Sequence, residues 1–273
     1  MPLAIKKLPV FLCAAVLAAG SEPAKPIEPR VPKLNSVFPQ GAQPGAKLRV
    51  EVLGEFIDRA QTVIFLDPAV HGDVVESTYT RVALDFTTTP DAPLGPHYFR
   101  VVTPRGASNV LLFRIGDQPH ILEKEPNSTF EQAQEVTIPA TINGRLDRDG
   151  DFDFYRFHAD KGQSWIFDLR AARNGNGLDA ALILADAKGR RLRHSEDVFI
   201  WDPFIQYTFE EAGDYYAIVQ PTHRHNDPNF AYQLDIRIAP HVETISPISM
   251  PPGATLEATV FRAVLTVSGM LLF

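Results

Sequence analysis

The stretch LRVEVLG, residues 48–54, alternates apolar and polar side chains, which is the pattern of a strand with one buried face. Working outward from it, four more short runs rich in β-branched and aromatic residues occur before residue 117. They are TVIFL (62–66), VALDF (82–86), HYFRVVT (97–103) and NVLLFRI (109–115). Turns containing Pro and Gly separate these runs and no helical periodicity intervenes. Residues 33–117 therefore predict one immunoglobulin-like β-sandwich.

A second β-rich block spans residues 135–239, after a polar, acidic linker at 118–134. Its candidate strands are VTIPATING (136–144), FDFYRFHA (152–159), SWIFDLRA (164–171), AALILADA (180–187), FIQYTF (204–209), YYAIVQP (215–221) and AYQLDIRI (231–238). About eight strands in about a hundred residues fit a jelly-roll-like β-sandwich. The predicted fold class is all-β: an Ig-like sandwich followed by a jelly-roll-like sandwich, with a short partial Ig-like repeat after it.

That repeat is an internal one, because residues 32–52 align without gaps on residues 240–260. Identical residues fix the same turns, so we expect the same opening hairpin in both places. Residues 240–273 are too few for a whole sandwich, and we interpret them as a truncated Ig-like repeat of a longer protein. The alternative is a strand pair that completes another domain. The identical pairs are Pro32 and Pro240, Pro39 and Pro247, Pro44 and Pro252, Gly45 and Gly253, Ala46 and Ala254, and Leu48 and Leu256.

The first 20 residues predict a secretory signal peptide. Lys6 and Lys7 precede an apolar run at 8–19, which is too short to span a bilayer, and small residues follow at 18–20. A buried N-terminal helix is the alternative. A Pro-rich linker follows at 21–32, and cleavage would remove Cys13, the chain's single cysteine. We therefore expect a secreted, periplasmic or cell-surface protein without disulfides or stable membrane insertion.

Composition and motifs give no sign of an enzyme. The net charge of −7 argues against a nucleic-acid partner. The sequence contains neither the G-x-S-x-G elbow of serine hydrolases nor the H-E-x-x-H zinc motif. His223, His225 and Asp227 spell H-x-H-x-D, but Pro228 follows where a metallo-β-lactamase-like site needs His, so we interpret this segment as a loop.

Several segments in the right order resemble the bacterial pre-peptidase C-terminal domain. They are Glu-Lys-Glu-Pro-Asn (123–127), Gly-Asp-Phe-Asp-Phe-Tyr-Arg-Phe (150–157), Leu-Asp-Ala-Ala-Leu-Ile-Leu (178–184) and the run from residue 207 to 216. The first block is similar to IPT/TIG-type Ig-like domains through residues 37–39, 44–45 and 106–109. The resemblance implies a non-catalytic accessory module that binds protein or polysaccharide. It also implies a calcium ion that orders the acidic lead-in segment.

The calcium hypothesis also has support from the residues themselves. Ca²⁺ takes six to eight oxygen ligands. Glu123, Glu125 and Asn127 alternate along an extended segment and so point the same way. Asp151 and Asp153 begin the next strand, and either could be a ligand. A solvated acidic turn is the alternative interpretation of these residues.

Trp201 is the candidate for ligand binding, since Asp202 and Pro203 place it in a predicted loop among other aromatic residues. Core packing is the alternative for those aromatics. The function predicted is a non-catalytic exported binding module, with an extracellular protein or polysaccharide surface as partner. The other possibility is the accessory region of a secreted hydrolase, presumed a protease, whose catalytic domain lies outside this sequence.

Overall fold

The computed structural model describes residues 30–223, 226–238, 241–247 and 257–264, with the single positions 249, 251, 253 and 255. The predicted signal peptide and nearly all of the Pro-rich linker lie outside this range. The described secondary structure consists of strands and two short 3-10 helices, which confirms the all-β fold class. Among the described residues, no helix is long and apolar enough to cross a bilayer.

The first sandwich contains nine strands in two sheets. One sheet has the order β1-β3-β6-β5; the other has the order β2-β9-β7-β4, with β8 paired to β7. The strands are β1 (Lys33–Phe38), β2 (Gly41–Ala42), β3 (Lys47–Glu55), β4 (Thr62–Phe65), β5 (Val70–Ser77), β6 (Arg81–Thr88), β7 (Gly95–Thr103), β8 (Gly106–Ala107) and β9 (Leu111–Ile115).

Alternation along the strands builds the core of this sandwich. In β7, His97, Phe99 and Val101 point inward, while the residues between them are at least partly exposed. Phe86 on the facing sheet meets Phe99 and Phe113 edge-to-face, with ring centroids 5.4 and 5.1 Å apart. Such aromatic contacts add stability beyond the area they bury.

The second sandwich contains ten strands, again in two sheets. Their orders are β10-β12-β19-β14-β17 and β11-β13-β18-β15-β16. The strands are β10 (His120–Leu122), β11 (Gln134–Glu135), β12 (Ala140–Arg145), β13 (Asp153–Ala159), β14 (Ser164–Arg170), β15 (Ala180–Asp186), β16 (Arg191–Ser195), β17 (Phe204–Thr208), β18 (Gly213–Pro221) and β19 (Ala231–Ile238); the 3-10 helices are Phe130–Gln132 and Ala172–Asn174.

The acidic segment at 118–134 is not separate from this second sandwich. Its strand β10 pairs in parallel with β12, and Gln134 at its end opens β11, which pairs in parallel with β13. The segment between β10 and β11 therefore crosses from one sheet to the other at one end of the sandwich. That crossing brings the acidic lead-in close to the start of β13.

The internal repeat folds into the same hairpin twice. In the first copy Val37 pairs with Val52, and in the second Ile245 pairs with Val260, at the aligned positions. The second copy consists of β20 (His241–Ser246) and β21 (Thr259–Val264). Gly45 and Gly253 both adopt φ of 77°, a left-handed conformation that favours glycine.

The two sandwiches meet at a seam of buried polar side chains. Gln40, which is 2% exposed, accepts from the amide of Asn174 (2.9 Å) and donates to the carbonyl of Ala231 (3.1 Å). Its backbone N–H donates to Asn143 Oδ1 at 3.0 Å. Beside it, a Cβ on Gly41 would lie 2.1 Å from the carbonyl oxygen of Arg114, so only glycine allows this approach. Because hydrogen bonds are directional, this seam fixes how the sandwiches are oriented.

Candidate metal centre

Three carboxylates from two distant parts of the chain meet at one end of the second sandwich. Glu125 comes from the crossing segment, whereas Asp151 and Asp153 stand before and at the start of β13. One oxygen from each carboxylate lies within 4.8 Å of the others. Asp151 and Asp153 are buried, and Glu125 lies at the exposed edge. The three are close enough to share one cation.

Asn127 lies beside this group with no partner for its side chain. It is fully buried, and its backbone carbonyl accepts a hydrogen bond from the N–H of Phe154 at 2.9 Å. Among the described residues, neither its Oδ1 nor its Nδ2 has a hydrogen-bond partner. A buried amide without partners costs about 1–3 kcal/mol, so such a group calls for an explanation. A cation that accepts Oδ1 as a ligand would supply one.

Asp153 is held by a tyrosine pair inside the core. The Tyr232 hydroxyl donates to its Oδ2 and lies 2.8 Å from the Tyr155 hydroxyl. Gly144 makes room for this contact, since a Cβ there would come within 2.3 Å of the Tyr232 ring. The other oxygen, Oδ1, is buried and has no partner among the described residues. One oxygen of Asp153 is therefore fixed in place while the other is free to bind a cation.

Glu123 lies beside the three carboxylates and, through Arg145, is linked to the first sandwich. Its Oε2 accepts from the backbone N–H of Arg145 at 2.5 Å, and its Oε1 lies 3.6 Å from the Arg145 guanidinium. The same guanidinium reaches Glu51 of the first sandwich at 3.1 Å and lies over the Phe38 ring at 4.2 Å. Glu123 thus faces both the acidic group and the neighbouring sandwich.

Burial and mutual repulsion raise the pKa values of the carboxyl groups in this cluster and so disfavour their charged forms. Burial raises the pKa of Glu123 to about 7, outweighing the attraction of Arg145. Burial likewise raises the pKa of Asp151 to about 6, and Glu125 adds to the effect. Burial, followed by repulsion from Glu123, raises the pKa of Asp153 well above its ordinary value. Such shifts are expected where carboxylates are gathered without a full set of counter-charges.

Arg148 supplies part of that counter-charge at the mouth of the cluster. Its guanidinium lies 2.8 Å from Glu125 and 3.6 Å from Asp151. Its side chain is half exposed, and no ion pair joins it to Asp153 within the described part of the chain. The donors gathered here are carboxylate and amide oxygens, the set that suits a hard cation such as Ca²⁺ rather than a thiolate- or imidazole-binding metal.

Several solved structures have weak similarity to the chain. The pre-peptidase C-terminal domain of collagenase from Bacillus anthracis matches with a TM-score of 0.34 and 14% identity, covering 42% of this chain and 100% of that one. A protein of the Bacteroides ovatus mixed-linkage glucan utilization locus, solved with a mixed-linkage heptasaccharide, matches with a TM-score of 0.27 and 9% identity over 77% of this chain and 74% of that one.

A surface glycan-binding protein from Prevotella bryantii has a TM-score of 0.24 and 10% identity, covering 77% of this chain and 76% of that one. No family model matches the chain. No curated protein matches its sequence either. At TM-scores and identities this low, the likenesses assign neither a family nor a ligand.

Trp201 lies in the loop between β16 and β17. It is 51% exposed, and Ile200 beside it is 68% exposed. The loop is anchored by Asp202, whose buried carboxylate accepts from the backbone N–H groups of Ala171 (2.9 Å) and Ala172 (2.8 Å). These hydrogen bonds fix the base of the loop, and the apolar side chains at its tip are exposed to solvent.

Of the groups around the acidic cluster that the sequence did not predict, one has a signal in the strand pattern and the others have none. Alternation along β13 puts Tyr155 on the same face as Asp153, which could have indicated a buried partner. Nothing in the sequence pairs Arg148 with Glu125 or Tyr232 with Asp153. In the H-x-H-x-D segment His223 is exposed and 3.6 Å from Asp179, while His225 lies outside the described residues.

Proposed function

We propose that this chain is a non-catalytic exported accessory module whose second sandwich is stabilised by calcium and which binds a protein or polysaccharide surface. Glu123, Glu125, Asn127, Asp151 and Asp153 would hold the ion. The observation that carries the proposal is the pairing of clustered, buried carboxylates with unpartnered oxygens of Asn127 and Asp153. A bound Ca²⁺ would supply the missing positive charge and accept those oxygens as ligands.

The metal would act structurally, by tying the crossing segment to β13. Glu125 and Asn127 belong to that segment, whereas Asp151 precedes β13 and Asp153 is its first residue. The ion would add to contacts already present: the Asn127 carbonyl accepts from Phe154 N–H, the Ser128 hydroxyl lies 3.3 Å from Asp151, and the Phe130 and Phe154 ring centroids lie 4.9 Å apart. Residues 118–135 should therefore resist proteolysis better with calcium than without it.

Terbium luminescence tests the site directly. Tb³⁺ replaces Ca²⁺ in oxygen-ligand sites, and nearby phenol rings sensitise its emission. Because the Tyr232 hydroxyl bonds Asp153, excitation of tyrosine should give terbium emission that added calcium removes. Asp153→Asn should abolish the emission, while Glu135→Gln, an exposed acid of the same sandwich, should leave it unchanged. Equal emission from Asp153→Asn would contradict the site.

The exposed loop is the surface we propose for partner binding. At its tip Trp201, Ile200 and Val198 are at least half exposed. The Trp201 ring offers a flat apolar face on which sugars and peptide side chains stack, and the two aliphatic side chains extend the apolar surface. Asp202 and Arg173, joined by an ion pair of 2.8 Å, hold its base, so little conformational freedom would be lost on binding.

Trp201→Ala should weaken binding and spare the fold. Its ring is exposed, so we expect the free energy of unfolding to change by less than about 0.5 kcal/mol. Sedimentation with cellulose, chitin or collagen fibrils should show less bound protein than the unsubstituted chain for whichever material is bound. Trp201→Phe, which keeps an aromatic face, is the matched control. A loss of about 2 kcal/mol or more in stability would instead mean that Trp201 packs in the fold.

A further inference from the structure

A cavity of about 280 Å³ lies where the seam between the two sandwiches opens to solvent. Residues of β7 and β9 line one side, and residues of β12, β14 and β19 line the other. The lining is polar and rich in arginine, although the chain as a whole carries a net charge of −7. Arg114, Arg170 and Arg237 all contribute, together with Thr141, Gln233 and Asp235.

Most of the charges around this cavity are already paired with each other. The Asp168 carboxylate is held by Arg170 at 2.5 Å and by Arg173 at 2.6 Å. The Asp235 carboxylate is held by Arg237, with Arg170 3.8 Å away. Both buried acids therefore have guanidinium partners of their own.

Arg114 is the arginine of the cavity lining that is not paired with either of these acids. Across residues 30–223 and 226–238, no carboxylate lies within ion-pair distance of it, and its buried Nε has no hydrogen-bond partner. Asp117, the other acid of the lining, is exposed and forms no ion pair with it there. His120 adds no positive charge at neutral pH, because burial lowers its pKa to about 4.

The environment of Arg114 leaves its charge under-compensated. Burial and then repulsion from Arg170 lower the pKa of Arg114 to about 10, with attraction from Asp168 only partly opposing them. The guanidinium stays charged at neutral pH but is destabilised by its surroundings. An anion entering the cavity would relieve that destabilisation.

We propose that this cavity binds the carboxylate of an acidic sugar, with Arg114 as its main partner and Arg170 and Arg237 beside it. The planar guanidinium fork matches a carboxylate through two parallel hydrogen bonds. The cavity is slightly smaller than the usual range of ligand pockets, which suits a single sugar unit. The rest of the lining is polar: the Thr141 hydroxyl donates to Asp235 at 3.2 Å and the Gln233 amide donates to Asn143 at 3.3 Å. Hydroxyl, amide and carboxylate groups are also the kinds that pair with sugar hydroxyls.

The choice of a sugar as the source of the carboxylate rests on the proposed function of polysaccharide binding. The site itself is independent of both the metal centre and Trp201, since it shares no residue with them. A monosaccharide is thus the suitable ligand for a test, because its binding needs neither calcium nor a polymer surface. Failure here and failure of the proposed function can then be told apart.

Isothermal titration of the full chain with galacturonate, galactose, acetate and sulfate tests the proposal. We expect galacturonate to bind and the other three to bind at least about tenfold more weakly. Arg114→Gln should weaken galacturonate binding by about tenfold to a hundredfold, and Arg114→Lys, which keeps the charge and loses the fork, by less. Arg190→Gln removes an exposed arginine paired with Asp186 and should change nothing.

Each other outcome overturns the proposal. Equal binding of galactose would mean that the anion is not recognised, and equal binding of acetate or sulfate would mean that the sugar is not. Galacturonate binding that survives Arg114→Gln would place the site elsewhere. If Arg114→Gln does not fold, Arg237→Gln at the more exposed rim gives the same test, and unchanged affinity there contradicts the site. No measurable galacturonate binding by the unsubstituted chain would also overturn it.

Discussion

Millimolar calcium should raise the melting temperature of the intact chain by about 5–10 °C over the value in EDTA. A ligand present at a hundred times its dissociation constant stabilises the folded state by about 2.7 kcal/mol, which corresponds to a shift of that size for a protein of this length. The physical reason is that Ca²⁺ binds the folded cluster of Glu125, Asp151 and Asp153 and has no comparable site in the unfolded chain. Differential scanning calorimetry with calcium and with EDTA measures the shift.

Asp153→Asn gives this experiment a two-part signature. The amide keeps an oxygen that accepts from Tyr232 and removes one of the crowded charges, so the metal-free variant should be at least as stable as the unsubstituted chain. Its calcium-dependent shift should disappear. Glu135→Gln should retain the full shift. Should Asp153→Asn respond to calcium as strongly as the unsubstituted chain, the ion does not bind at this cluster.

The metal-free chain should lose stability as the pH rises from about 5 to about 8, opposite to the usual behaviour of acidic groups. The folded-state pKa of Glu123 is raised from 4.5 to about 7 and that of Asp151 from 3.8 to about 6. A group with a raised folded pKa stabilises the fold fully below its unfolded pKa. That stability is lost as the pH rises through the folded pKa. For Glu123 alone the loss is about 3 kcal/mol.

Urea midpoints at several pH values in EDTA measure this loss. Glu123→Gln should flatten the profile between about pH 6 and 8, and calcium should flatten it in the unsubstituted chain by binding the ionised carboxylates. Carboxylates with lowered pKa, such as Asp214 beside Arg156, change stability only at lower pH. His120, whose pKa burial lowers from 6.5 to about 4, opposes part of the loss below about pH 6.5, so the loss due to Glu123 is read as the difference from Glu123→Gln. A metal-free chain whose stability rises or stays level from pH 5 to 8 would refute the raised pKa values.

The strands that the sequence predicted are those with a buried face. The runs around residues 97–103 and 152–159 became β7 and β13, because alternation there reports directly on burial. Among the strands that were not predicted, β5 (VHGDVVES) and β16 (RLRHS) lie at sheet edges, and most of their residues are polar or exposed. Charged residues on edge strands of this kind prevent aggregation. The same residues interrupt the alternation of apolar and polar side chains from which a strand is predicted.

For the candidate metal site, the sequence predicts the types of ligand but not that they come together. Spacing along the chain indicated that Glu125 and Asn127 point the same way, and it placed Asp151 and Asp153 at a strand entry. That these two segments meet depends on the parallel pairing of β11 with β13, a contact with no local sequence signal. The cavity at Arg114 could not be predicted from the sequence for a similar reason, because its arginines come from strands far apart in the chain.

The buried polar seam around Gln40 has a consequence for avidity. When two binding modules are joined by a flexible linker, much of the gain in affinity is lost, because the second module must still be oriented before it can bind. Here Gln40 donates to Asn143 and accepts from Asn174, and these hydrogen bonds hold the two sandwiches in one orientation. A polysaccharide bound at the proposed Trp201 loop would therefore meet the proposed cavity at Arg114 at a fixed angle and a high effective concentration, so two weak contacts would act together.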